Sequence, residues 1–229
     1  MDFETNFKKP FTDVKKLLIG ILLSIFPVIN FFSMGYMLET AKRAMKKEQA
    51  LPEWDNWGDL FVKGLLSIVI EALYFMPALI LGAVFLWPAM KTSIPSLIAG
   101  QIPDIAGVLT TTALSGMAAG GILALIALYI TPSAIMHFIR GKFGDAFSLG
   151  SVFRKAFKSQ YAMAWLLFIL YSMLLGALLN FIPYVGSAAA SFIAGITGLS
   201  LIAEAFAGIE MPEKKTAEAK PKKAVKKRK

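Results

Sequence analysis

The chain has 229 residues, 56 % of them hydrophobic and only 17 % charged, with a formal net charge of +9 and a mean hydropathy of +0.62. A soluble domain carries about a quarter charged residues, so this composition excludes an ordinary globular domain in water. Cysteine is absent, which removes disulfides, thiolate chemistry and cysteine metal sites.

Five apolar runs follow one another, at 17–38, 60–87, 106–139, 161–182 and 184–208. A helix crosses a hydrocarbon core of roughly 30 Å with about 20 apolar residues. Extended backbone facing lipid would leave its polar groups unsatisfied, and no stretch alternates with period two as a barrel strand does. The expectation is an all-α membrane protein, a polytopic helical bundle of four spanning helices plus an N-terminal helix broken at Pro27. It forms one domain over 1–208, followed by a disordered, Lys-rich tail over 209–229.

Lys8, Lys9, Lys15 and Lys16 precede the first run as in a signal peptide, but Phe31, Phe32, Met34 and Tyr36 fill the region where a cleavage site would fall. Residues 17–26 as helix measure about 15 Å, half the core. Pro27 lacks an amide hydrogen and crowds the preceding turn. The run is therefore a re-entrant hairpin that folds back at Pro27 or a single kinked crossing.

Before the second run stands Leu51-Pro52-Glu53-Trp54-Asp55-Asn56-Trp57-Gly58-Asp59, acidic, aromatic and turn-rich. Asp59 is placed to cap the helix that follows. Glu71 lies in the middle of that helix, where a carboxylate costs about 2.5–3.5 kcal/mol on insertion scales. It should face the bundle or a wet cavity, and Asn30, Asn180 and Tyr74 are candidate partners. Pro77, and Pro132 in the third run, join Pro27 and Pro183 as expected helix breaks. Gly116 and Gly120 form a G-x-x-x-G, and Gly195 lies in a second small-residue stretch, both suited to close helix packing. The surroundings of Pro27 and Pro183 are alike enough to be an internal repeat or chance convergence.

Between the third and fourth runs, Phe153, Phe157 and Tyr161 recur at i, i+4, i+8. The expectation over 151–161 is a short basic amphipathic helix that presents Arg154, Lys155 and Lys158 to anionic headgroups, as the Lys-rich tail also would. Glu204 is close enough to the boundary to reach headgroups. Trp54, Trp57 and Trp165 fall at inner boundaries and Trp87 at an outer one, as interfacial belts require.

The charge pattern supplies a topology. Of the 24 Lys and Arg residues, 23 reach the cytoplasmic side if the first run folds back, and Lys91 alone stays outside. That places the protein in the cell membrane with a cytoplasmic C-terminus and two hairpins turning outside.

Gly35-Tyr36-Met37-Leu38, a basic stretch, and then 51–65 beginning Leu-Pro-Glu-Trp-Asp resemble the domain of unknown function 4013 family. Tyr129-Ile130-Thr131-Pro132 and Phe143-Gly144-Asp145-Ala146-Phe147 fit the same pattern more loosely. The resemblance, over residues 10 to 208, implies a multi-pass membrane protein and brings no activity, substrate or catalytic residue.

No catalytic constellation assembles. His137 is the single histidine, one turn before a cytoplasmic boundary, and reads as an interfacial polar residue. No base is placed to activate a serine, and no metal set or cofactor motif is present. The expected function is a non-enzymatic membrane component that packs against lipid, a membrane protein partner or a second copy. The alternative is a small-solute or ion-coupled transporter or channel using Glu71. No cofactor and no nucleic acid are expected.

Overall fold

In the computed structural model the described residues are 2–101 and 111–209, and no strand occurs among them. The expected start of the third run at 106–110 and the tail from 210 onward lie outside the described residues. A short helix α1 (Phe3–Lys8) and a 3₁₀ turn (Lys9–Phe11) lead into α2 (Val14–Ser24) and α3 (Asn30–Met45). The long α4 (Trp57–Ile98) and α5 (Thr111–Arg140) follow, then a second 3₁₀ turn (Phe143–Phe147), α6 (Leu149–Ala156), α7 (Ser159–Leu179) and α8 (Val185–Gly208). Among the described residues, four helices are long and apolar enough to cross a membrane: Trp57–Pro88 within α4, and α5, α7 and α8. This is the expected all-α class with its four candidate spans.

The first run is two helices. Asp13 caps α2 by accepting the Lys16 amide at 3.0 Å, and the helix then runs 11 residues, about 16 Å at 1.5 Å per residue. After a turn over Pro27 the chain returns as α3. Ser33 Oγ donates to the Gly20 carbonyl at 3.0 Å, and Trp54 donates to the Lys16 carbonyl while its ring stacks on Tyr36 at 4.0 Å. Gly20 is thus level with Ser33, and Lys16 with Tyr36. Of the two alternatives at Pro27, the chain folds back.

α3 is the element on which the rest assembles, with α4 on one side and α8 on the other. The α3–α4 crossing is set by two glycines. A Cβ on Gly35 would strike the Leu60 backbone, and one on Gly64 would strike the Phe31 backbone. Gly116 packs on the Phe85 ring, Gly120 lies against Ala78 and Gly82, and Gly195 lies on the Met37 sulfur, so all three expected packing glycines sit at helix contacts. α8 is the buried axis of the bundle, whereas α4 and α7 leave most of their spans outward.

Three expectations need correction here. Pro77 and Pro132 do not break their helices: Pro77, Pro88 and Pro95 all lie inside α4, which runs on past Trp87 to Ile98, and Pro132 lies inside α5. A proline costs its helix one backbone bond, and that cost falls when a neighbour supplies the missing donor. At Pro132 the carbonyl left over is that of Leu128, and Trp165 Nε1 donates to it at 3.4 Å. Pro27 and Pro183, by contrast, do sit in turns. Second, α4 starts at Trp57, behind Asn56 in the left-handed region at φ 48°, so Asp59 is not the cap. It lies in the first turn, where its charge suits the helix dipole, and pairs with Lys63, which also reaches Glu39 at 2.6 Å. Third, the amphipathic segment at 151–161 is not one helix. α6 ends at Ala156 and α7 begins at Ser159, so Tyr161 belongs to the next element.

Candidate functional site

Glu71 is the expected centre of any intramembrane chemistry, and the structure puts it elsewhere than the sequence implies. It lies midway along the α4 span but is exposed, and it forms no hydrogen bond or ion pair among the described residues. The candidate partners are committed or distant in role. Tyr74 donates its hydroxyl to the Ala146 carbonyl at 2.6 Å, Asn30 opens α3 at the hairpin turn, and Asn180 is exposed at the C-cap of α7. No arrangement of Glu71, Asn30 and Asn180 forms. Helical periodicity alone cannot assign that outward aspect, because α2 and α3 stop short of enclosing the middle of α4.

A groove of about 510 Å3 does open beside α4, lined by Leu73, Pro77, Leu123, Ile126, Phe147 and Phe153 among others. Its walls are apolar and Glu71 is not one of them. Tyr74, which also lines it, bonds to the Ala146 carbonyl at 2.6 Å and so ties α4 to the turn after α5.

The residues of the Gly-Tyr and Leu-Pro-Glu-Trp motifs meet directly. Tyr36, fully buried, donates its hydroxyl to the Pro52 carbonyl at 2.9 Å. Lys16 pairs with Glu53 at 2.6 Å, and the Trp54 ring lies between Tyr36 and Trp57, with Phe192 of α8 at 6.4 Å. The motif is therefore a clamp that ties the α2–α3 hairpin to the entrance of α4. Of the expected interfacial residues, Trp54 is a half-buried member of that stack, and Trp165 faces α5, edge-on to Tyr129. Trp57 and Trp87 are exposed, and Lys91 lies 5.5 Å over the Trp87 ring.

Sequence reasoning missed two buried lysines. Lys9 is 1 % exposed, and its ammonium has no hydrogen-bond partner among the described residues. Burial pushes its pKa down, opposed by the charges of Glu204 and Asp2. Glu204 does not reach out to headgroups. It accepts from the Asp2 amide at 2.9 Å and from the buried Asn6 amide group at 2.7 Å, fastening α1 to α8. Lys155 is also 1 % exposed and donates to the Phe206 carbonyl at 2.7 Å, so of the three expected headgroup contacts Arg154 and Lys158 are exposed and Lys155 is not. Both lysines stand in runs that look basic and amphipathic, and only the path of α8 decides which side chain is covered.

The family model described as Protein of unknown function (DUF4013) matches residues 18–184, which is narrower than the 10 to 208 expected for the resemblance. It takes in most of the hairpin, the clamp except Lys16 and Phe192, and α4 to α7. No curated protein and no solved structure matches the chain.

Proposed function

The chain belongs to the DUF4013 family, and from its geometry we propose that it is a non-enzymatic component of the cell membrane whose outward helix faces pack against a partner protein, a second copy or lipid. The observation that carries this reading is Glu71, exposed and without a partner in the middle of an apolar span whose surface is mostly outward. A carboxyl facing hydrocarbon costs about 2.5–3.5 kcal/mol, so a surface that keeps one is better matched to another protein than to acyl chains alone. The apolar groove beside it supports packing rather than passage of a polar solute, since its lining excludes Glu71.

The orientation belongs to the same proposal. Lys9, Lys16, Lys42, Arg140 and Lys155 gather at the end of the bundle where α1, the loop before α4, α6 and the end of α8 meet. Lys91 stands at the other end of α4. Basic residues stay cytoplasmic, so α2–α3 enters from that side as a re-entrant hairpin and the C-terminus is inside.

The absence of cysteine makes the test direct. Single cysteines at Ala72 and Leu79 of α4 are cross-linked in intact membranes, with and without Glu71→Leu. A protein adduct through α4 that weakens in the variant is the expected result. Ion-driven uptake by reconstituted protein, lost in Glu71→Gln, would overturn the reading in favour of a carrier.

A further inference from the structure

A second site lies at the basic end of the bundle, remote from Glu71. Where α5 ends, the chain turns through Phe143–Phe147 into α6, which packs back on α5. Between them is a cleft of about 380 Å3 lined by His137, Arg140, Asp145, Ser148, Ser151 and Lys155. Ser148, Ser151 and Lys155 share one face of α6 by their i, i+3, i+7 spacing, while Leu149 and Phe153 turn to the apolar groove.

The charges in this cleft do not balance. Lys155 is buried, with its ammonium on the Phe206 carbonyl and 3.7 Å from the centre of the Phe206 ring. That uses one of its three donors and supplies no counter-charge. Arg140 is exposed and makes no ion pair among the described residues. It also borders a second cleft of about 310 Å3, with Lys42 of α3 and Lys46 at its C-cap on the walls. Asp145 is the one carboxylate lining the first cleft among the described residues, and its Oδ2 is held by the Lys142 amide at 2.7 Å, closing the turn. His137 Nδ1 is held by the Ser133 carbonyl at 2.9 Å, which leaves Nε2 toward no partner among the described residues. The first turn of α6 opens on the same cleft at Ser148 with no side-chain cap, so backbone donors are available there.

We propose that this cleft binds a phosphate-bearing anion, with Arg140 and Lys155 supplying charge and Ser148 with the start of α6 supplying hydrogen bonds. The site goes beyond the membrane-component reading and rests on it only for lying at the membrane's cytoplasmic face. Phosphate chemistry fits because guanidinium and backbone amides match tetrahedral oxygens, whereas a carboxylate ligand would leave donors over. Two sources present that chemistry at a membrane surface: an anionic lipid headgroup and a soluble phosphate.

The experiment uses the full chain in a mild detergent and in nanodiscs. Inorganic phosphate is titrated against chloride while thermal stability is followed, since a ligand that prefers the folded state raises it. In parallel, nanodiscs of phosphatidylcholine with and without phosphatidylglycerol are examined by native mass spectrometry for retained lipid. A saturable effect of phosphate assigns the site to a soluble anion, and selective retention of phosphatidylglycerol assigns it to a headgroup. In either arm Arg140→Gln and Ser148→Ala, neither buried, should weaken binding, the first by about tenfold as one charge-assisted bond is lost. Lys158→Gln, which does not line the cleft, should leave it unchanged. No response to either probe overturns the proposal, as does an equal loss in Lys158→Gln, which would mean diffuse attraction. Neither failure touches the α4 cross-linking result.

Discussion

The Tyr161 hydroxyl accepts the Ser133 amide at 3.1 Å and donates to the Tyr129 carbonyl at 2.7 Å, bridging two groups that a regular helix pairs directly with each other. The opening lies beside Pro132, and Trp165, one turn along α7 from Tyr161, reaches the carbonyl that the proline leaves over. α7 thus mends the backbone of α5. Tyr161→Phe removes both bonds from the buried Ser133 amide and the part-buried Tyr129 carbonyl. We expect a loss of about 1–3 kcal/mol in reversible unfolding in detergent, larger than that of Trp165→Phe. Equal stability of Tyr161→Phe and the parent would sink this account.

The glycines at the α3–α4 crossing give a sharper contrast. Gly35→Ala and Gly64→Ala drive a methyl into backbone, which cannot turn aside as a side chain can. Each should cost about 1–3 kcal/mol or more. Gly121→Ala, with open space at the same point, should be neutral or slightly stabilising through helix propensity. Melting temperatures of the three purified variants decide it, and a ranking with Gly121→Ala as the worst would refute the packing.

Labelling from the two sides checks the fold-back at Pro27 in the membrane. Glu4→Cys is exposed on α1, and Ile98→Cys is exposed at the far end of α4. An impermeant thiol reagent added to intact cells should modify the second and spare the first until the membrane is opened. Modification of Glu4→Cys from outside would make the first run a crossing.

Lys155 supplies a pH dependence. Burial first, and the Arg140 charge second, hold its pKa down to about 8 from an ordinary value of 10.5. His137 and Arg140 of α5, Asp145 of the turn and the Phe206 ring of α8 surround it. The folded state gives up this proton earlier than the unfolded chain, so between these two values the unfolded state binds more protons. Stability should therefore rise with pH across that window. The rise should be smaller in Lys155→Met, measured by melting temperature at a series of pH values. A wild-type curve that falls, or an unchanged slope in the variant, would contradict the burial of a charged group.

Much of this architecture was legible from residues. A run of ten apolar residues before Pro27 is half the length of a crossing, and the lysines on both sides of 17–38 fit a return, yet a single kinked crossing stayed open until α2 and α3 were seen side by side. The four long runs needed only their length. What escaped was whatever depends on a neighbour. Pro132 looks like a break until Tyr161 and Trp165 are seen to supply donors, because the cost of a proline depends on the fate of one carbonyl. Phe153, Phe157 and Tyr161 share a helical period, yet the chain turns at Phe157 and Lys158, and periodicity does not register a turn between matching residues. Glu71 shows the reverse case. Its helix was plain, but its neighbours are set by where α2 and α3 stop.

That stopping point has a consequence for the bilayer itself. In the orientation proposed above, α2, about 16 Å long, and the hairpin it forms with α3 would occupy only the leaflet from which they enter. In the proposed orientation six helices fill the cytoplasmic leaflet and four fill the opposite one. Such a body is a wedge, broad at one face and narrow at the other. It displaces unequal lipid area in the two monolayers, and would settle most comfortably where the membrane is already bent to match.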